Sequence, residues 1–265
     1  MEKSTHSFDG ETIHYRDSGS GATTLVFIHG WLGSGHWFDQ QEEFFRKTHR
    51  VVLVDLAGHG QSSRTRAEWS ADNYVHDIEA VVNSLDASNV ILVGHSMAGA
   101  FVLEASRRLP VVRAVVVIDT LKDLDRMITP EQAEQFLFQH YREDFENAVR
   151  VILPLHLFVE TTPIDVKNRL QAEFLKNEAS FAINAIAGLY QMDVPKIAQA
   201  VSVPVRAINS DYAPINVESN RKYLADYDYK TLSGTGHYPM LEKPGEFNEI
   251  LAQIIEALSA QVDIK

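Results

Sequence analysis

Val90-Ile91-Leu92-Val93-Gly94-His95-Ser96-Met97-Ala98-Gly99 joins a run of aliphatic residues to a turn of mostly small ones. A short run that is apolar at every position suits a strand covered on both faces, as in a parallel sheet flanked by helices. A serine in a tight strand-to-helix turn needs small neighbours, because the strained backbone leaves no room for side chains two positions away. Gly94 and Ala98 supply that room. Such a turn lifts the Ser96 hydroxyl above the strand end, at the positive end of the following helix. It also turns the Met97 main-chain N–H toward a developing oxyanion.

The same kind of run recurs on either side. Leu25–Ile28 ends at His29-Gly30, Val51–Val54 ends at Asp55, and Val115–Ile118 ends at Asp119. Helical patterns lie between them, at about 37–47, 71–86 and 97–109. Alternation at this spacing predicts an α/β fold with a mostly parallel sheet. Thr12–Arg16 alternates like a half-exposed edge strand and reads as an antiparallel lead-in to that sheet. From 121 to 198 the strand-like runs fade, and Pro130–Val149 and Val166–Leu175 take on helical patterns; Ala182–Tyr190 is markedly apolar. The alternation then returns with Val203–Ile208, a helix near 216–225, a strand near 227–232 and a helix near 245–260. The expectation is one α/β core, 1–120 and 199–265, carrying an inserted helical cap at 121–198, a junction that ligand sites favour.

Composition narrows the function. At roughly 150 residues per domain, 265 residues allow one or two domains. Lys and Arg total 24 against 36 Asp and Glu, a net charge of −12. Nucleic acid and anionic membrane surfaces both need clustered cations, so neither is an expected partner. With no cysteine in the chain, thiolate nucleophiles, disulfides and thiolate metal sites are excluded. Met1–His6 lacks a secretory pattern, and no stretch reaches the roughly 18 apolar residues of a membrane helix. A cytoplasmic location is expected. Gly19-Ser20-Gly21 precedes a strand instead of following it, and neither a phosphate-binding loop nor an H-E-x-x-H metal motif is present. No cofactor and no metal are expected.

A serine hydroxyl must lose its proton as it attacks, so Ser96 needs a base. Among eleven histidines, His237 fits best, in the Gly-containing loop Ser233-Gly234-Thr235-Gly236-His237 after a strand. His29 is expected to pack structurally, His95 to turn into the core, and His59 to belong to the turn after the fourth strand. His36 could face the pocket.

Four stretches in order make the chain resemble the α/β-hydrolase-fold family over nearly its whole length. They are His29-Gly30-Trp31, Asp55-Leu56-Ala57-Gly58-His59-Gly60-Gln61-Ser62, Gly94–Gly99, and Gly236-His237 followed by Pro239 and Leu241-Glu242-Lys243-Pro244. The resemblance implies an oxyanion hole built from the main-chain N–H groups of Trp31 and Met97. It also implies an acid at Asp211, after the strand ending at Ile208 and before Pro214, which gives the family's order Ser96, Asp211, His237. Asp119 competes for that role, since some relatives place the acid one strand earlier. Asp55 is expected to hold its own turn together. The chain departs from the family at Ala98, where the strict motif has Gly, and at Asn209-Ser210-Asp211-Tyr212, where a Gly often stands about two residues before the acid.

The resemblance points first to a serine carboxylic ester hydrolase that passes through an acyl-enzyme. Phe136, Leu137, Phe158, Phe181, Ile186 and Leu189 are candidate linings for a small or medium acyl or aryl ester. Trp31, Phe136, Phe158 and Leu189 are the residues expected to touch it, with the Trp31 indole as a wall. The alternatives are a cofactor-independent dioxygenase or lyase using His237 and Asp211 as base, and a ligand receptor that signals through its cap. Dehalogenases and epoxide hydrolases of this fold carry Asp where Ser96 stands. Proline iminopeptidases and carbon–carbon hydrolases carry Gly- and Pro-rich loops unlike His29-Gly30-Trp31-Leu32-Gly33. Monomer and homodimer are equally compatible with the sequence.

Overall fold

The computed structural model describes residues 1–262. Its frame is an eight-stranded sheet in the order β1-β2-β4-β3-β5-β6-β7-β8. The strands are β1 (Glu2–His6), β2 (Thr12–Gly19), β3 (Thr24–Ile28), β4 (Arg50–Val54), β5 (Val90–His95), β6 (Val112–Ile118), β7 (Val205–Ser210) and β8 (Tyr227–Leu232). β1 and β2 pair antiparallel, β2 pairs antiparallel with β4, and all later pairings are parallel. Every residue of β3 and β5 is buried, as continuous apolar runs require when helices cover both faces.

The helices are amphipathic in the matching sense. In α2 (Ala71–Ser84) the buried residues Tyr74, Val75, Ile78, Val81 and Val82 recur at helical spacing. The Ser70 hydroxyl caps it, accepting from the Asn73 N–H at 3.1 Å. α2 packs on α3 (Ala98–Arg108), and α3 packs on β5 and β6. α1 (Asp39–Phe45) packs against β4 and the C-terminal helix Pro244–Val262.

Register determines where chemistry can occur. Ile28 lies opposite Gly94, and His95 opposite Ile118. The loops leaving β3, β5 and β6 therefore emerge side by side at the C-terminal ends of the strands, where ligands bind in open α/β sheets.

Three expectations about elements change. The Thr12–Arg16 strand runs on to Gly19 and alternates in burial, but it is not the edge, because β1 pairs outside it. The β7 strand starts at Val205, after Pro204, whose missing N–H cannot join a ladder. Pro130–Val149 is not one helix. Its α-helical turns are interrupted by π-helical ones at Glu134–Phe138 and Ala148–Ile152. Between β6 and β7 the described chain forms helices and turns but no strand. No helix among the described residues is long and apolar enough to cross a membrane.

Candidate active site

Backbone strain marks the site before any side chain is considered. Among the described residues, the non-glycine residues with positive φ are Leu32 (52°), Ser96 (55°), Asp119 (46°) and Leu121 (53°). All lie in the loops leaving β3, β5 and β6. Left-handed backbone costs a non-glycine residue on the order of 1–2 kcal/mol, and it persists where surrounding packing imposes it.

Close packing explains the small residues. A Cβ on Gly94 would lie 2.7 Å from both the Ala98 carbonyl oxygen and a Val102 methyl. On Gly30 it would lie 2.6 Å from His95 Nδ1 and 3.1 Å from Ser96 Cβ, so the β3 loop lies directly against the Ser96 turn. Among the described residues, neither the Trp31 nor the Met97 main-chain N–H donates to a protein acceptor.

Ser96 Oγ lies 2.8 Å from His237 Nε2. On the other side of the ring, His237 Nδ1 lies 2.7 Å from Asp119 Oδ2. Asp119 is fully buried at the end of β6, and its other oxygen accepts from the Ser210 N–H at 2.8 Å, the Ser210 hydroxyl and the Lys122 ammonium at 2.9 Å. Burial alone would raise this carboxyl, but the His237 hydrogen bond and charge, with Lys122 and Ser210, hold it well below the usual carboxylate range. The carboxylate therefore stays ionised and keeps the proton on His237 Nδ1.

Asp211 does not meet His237, which corrects the expectation drawn from the resemblance. Its carboxylate is exposed and accepts the Gly234 N–H at 2.9 Å. The place beside His237 Nδ1 is taken by Asp119, and Ser210, the last residue of β7, donates its N–H to that carboxylate. The residue after Asp211 does approach, with the Tyr212 hydroxyl 3.4 Å from His237 Nδ1.

The remaining polar groups hold the scaffold. His29 Nδ1 pairs with the Gly30 carbonyl at 2.7 Å while Nε2 accepts the Leu56 N–H at 3.1 Å, the pattern of a neutral ring. His95 is buried and directs Nε2 at the His237 carbonyl at 2.8 Å, and burial first, then the neighbouring His237, pushes its pKa down to about 3. His59 is buried in the turn after β4 and pairs with the Ala57 carbonyl at 3.0 Å. His36 lies on the surface beside Asp39. Asp55 accepts the N–H groups of Gly35 at 2.7 Å and Gln61 at 2.8 Å, fastening its own turn. Glu242, whose role the sequence did not suggest, accepts the N–H groups of Gly236 at 2.9 Å and Tyr238 at 3.1 Å and the Thr162 hydroxyl at 2.7 Å. It thereby fixes the His237 loop and ties it to the helical segment.

The expected lining residues divide. Phe158 abuts the site, because its Cα would lie 3.1 Å from a Cβ on Gly236 and its ring packs on Tyr238. Trp31 is buried; its indole N–H donates to the Ala182 carbonyl at 2.7 Å and its ring stacks on Tyr141 at 5.4 Å. It fastens the helical segment to the core. Leu189 is half-buried against the core. Phe136 is 58% exposed, whereas Ala133, Phe138 and Tyr141 of the same segment are buried. Phe181 packs on Trp69 and His59 under the Arg64 guanidinium. A groove of about 470 Å³ between α2, α3 and residues 192–200 is lined by none of Ser96, His237 and Asp119.

Comparison with known proteins agrees with this fold. The model of the alpha/beta hydrolase family matches residues 25–250. A non-heme chloroperoxidase of Burkholderia pyrrocinia is 41% identical over 93 residues, 34% of either chain. A bifunctional esterase/perhydrolase of Acinetobacter calcoaceticus is 37% identical over 114 residues, 41% of either chain. These alignments span well under half the length of the curated relatives they match. Among solved structures, a thermophilic esterase from Thermogutta terrifontis superposes with a TM-score of 0.82 over 97% of this chain and 99% of its own, at 19% identity. That likeness is one of fold.

Proposed function

Because the chain belongs to the alpha/beta hydrolase family, we propose that it is a serine hydrolase of small-to-medium carboxylic esters, with Ser96 as nucleophile, His237 as general base and Asp119 as orienting acid. One observation carries this reading: a hydroxyl, an imidazole and a buried carboxylate stand in line at 2.8 and 2.7 Å. Ser96 Oγ attacks the acyl carbonyl as His237 Nε2 takes its proton. The imidazolium gives that proton to the departing alcohol oxygen as the ester C–O bond breaks. Water then attacks the acyl-enzyme, His237 takes a proton from it, and Ser96 leaves with that proton. The main-chain N–H groups of Trp31 and Met97 are proposed to hold the oxyanion, where loss of one donor costs on the order of 100- to 1000-fold in turnover. The helical segment at 121–198 is proposed to act as the cap, with Phe158 closing the site beside His237. The reading extends to a cytoplasmic enzyme acting on a small-molecule substrate.

The test pairs covalent labelling with turnover. A fluorophosphonate should label Ser96 stoichiometrically, as read by peptide mass spectrometry. Ser96→Ala should reduce p-nitrophenyl ester hydrolysis by about ten-thousand-fold or more. A folded protein that takes no label and keeps its reaction in Ser96→Ala would instead be a His237-based oxygenase or lyase. Stoichiometric ligand binding without turnover would point to a receptor.

A further inference from the structure

Asp119 divides its oxygens between two tasks. Oδ2 meets His237, while Oδ1 meets the Lys122 ammonium at 2.9 Å. Lys122 Nζ also donates to Ser210 Oγ at 3.1 Å and lies 4.0 Å from the centroid of the Tyr212 ring. Its side chain is only 16% exposed. Burying an ammonium is unfavourable enough that a buried ion pair is weak grounds for stability, so the position of this cation has to be explained by what it does to its partner.

We propose that Lys122 is a positioning residue for the Ser96–His237–Asp119 system, locking Asp119 Oδ1 so that Oδ2 aims at His237, and offsetting the carboxylate charge so that the imidazolium formed during reaction is held less strongly. Among the described residues, Lys122 is the only Lys or Arg paired with this carboxylate. The other titratable groups around His237 are His95, with ring centroids 4.9 Å apart, Tyr238 at 5.2 Å and the Tyr212 hydroxyl at 3.4 Å. Glu242 is turned to the Gly236 and Tyr238 N–H groups, and Asp211 to Gly234. Of these only Tyr212 also reaches the Lys122 side of Asp119, its ring lying against the ammonium at 4.0 Å.

For charges roughly 6 Å apart in a medium of effective dielectric about 20, removing the cation should raise the His237 titration midpoint by about one to two pH units. The experiment compares wild type, Lys122→Met, Lys122→Gln and Lys122→Arg by NMR titration of the His237 imidazole and by the acid limb of kcat/KM on p-nitrophenyl acetate. Both neutral variants should move both midpoints up by that amount, and Lys122→Arg should leave them near wild type. A merely structural lysine would change stability without moving either midpoint. A folded neutral variant with unchanged midpoints overturns the proposal. Failure of both neutral variants to fold beside a folded Lys122→Arg also overturns it, by assigning the ammonium to the fold. The kinetic arm rests on the ester-hydrolase reading and the NMR arm does not. Absence of turnover in the wild type would therefore sink that reading and leave the titration to judge Lys122.

Discussion

Replacing Asp119 by Asn separates the two candidate acids. In the wild type, Oδ1 is held by the Ser210 N–H and hydroxyl and by Lys122, all of them donors. The side-chain amide of Asp119→Asn must therefore keep its oxygen on that side and turn its NH2 toward His237 Nδ1. That donor forces Nδ1 to accept and moves the ring proton to Nε2, the nitrogen 2.8 Å from Ser96 Oγ. Nε2 can then no longer take the serine proton. Loss of the correct tautomer in a triad of this geometry reduces kcat by about 1,000- to 10,000-fold, or roughly 4 to 5 kcal/mol of barrier. Asp211→Asn keeps an oxygen that can still accept the Gly234 N–H, on an exposed side chain, and should change kcat by about threefold or less. The assay is steady-state hydrolysis of a p-nitrophenyl ester by both variants, with fluorophosphonate labelling rates as a second readout. Asp211→Asn falling as far as Asp119→Asn, or Asp119→Asn keeping more than about a tenth of wild-type kcat, would refute the assignment.

Further consequences follow from single contacts. Trp31→Phe keeps a ring on Tyr141 but loses the bond to the Ala182 carbonyl; it should lower stability by about 1 kcal/mol and speed proteolytic cutting within 121–198, and an unchanged cutting rate would show that this bond does not fasten the helical segment. Glu242→Gln replaces an acceptor with a donor facing the Gly236 or Tyr238 N–H, so kcat/KM should fall about 10- to 100-fold with Ser96 still present and the protein folded by circular dichroism. Asp17 is held by Arg50 Nε at 3.0 Å and Lys3 Nζ at 2.7 Å. Burial raises its pKa, but Arg50 and Lys3 lower it more, and the net shift is downward. Its contribution is thus present above the unfolded-state value near 3.9 and is lost as pH falls through the lower folded value. Asp17→Asn should therefore cost about 1–3 kcal/mol at pH near 7, and urea unfolding at about pH 3 should show a smaller gap between variant and wild type.

The parts of the fold that were legible have composition tied to burial. Leu25–Ile28 in β3, Val51–Val54 in β4 and Val90–Val93 in β5 are apolar throughout because helices cover both faces, and β8 falls at 227–232 as its pattern predicts. β1 was not legible, since Glu2-Lys3-Ser4-Thr5-His6 is polar and pairs on one side only. The π-helical turns at Glu134–Phe138 and Ala148–Ile152 leave no compositional trace, and with them went the inward orientation expected of Phe136.

At the site, the same division holds. Ser96 could be named from sequence because Gly94 is crowded by Ala98 and Val102, close by in the chain, whereas His237 was found through its Gly-containing loop although Gly236 is crowded by the distant Leu157 and Phe158. The acid could not be chosen that way. Asp119 and Asp211 each follow a strand of the same sheet, and only the folded loops show which of them meets His237. The roles of Lys122 and Glu242 were not legible for the same reason, since an ammonium on a carboxylate and a carboxylate under a loop are contacts made through space. The chain of 265 residues with no cysteine and a net charge of −12 determined by itself that its nucleophile is not a thiol and that its frame is α/β. Tertiary structure decided which carboxylate meets the histidine, because a hydrogen bond of 2.7 Å depends on loop conformation and side-chain direction, neither of which local sequence encodes.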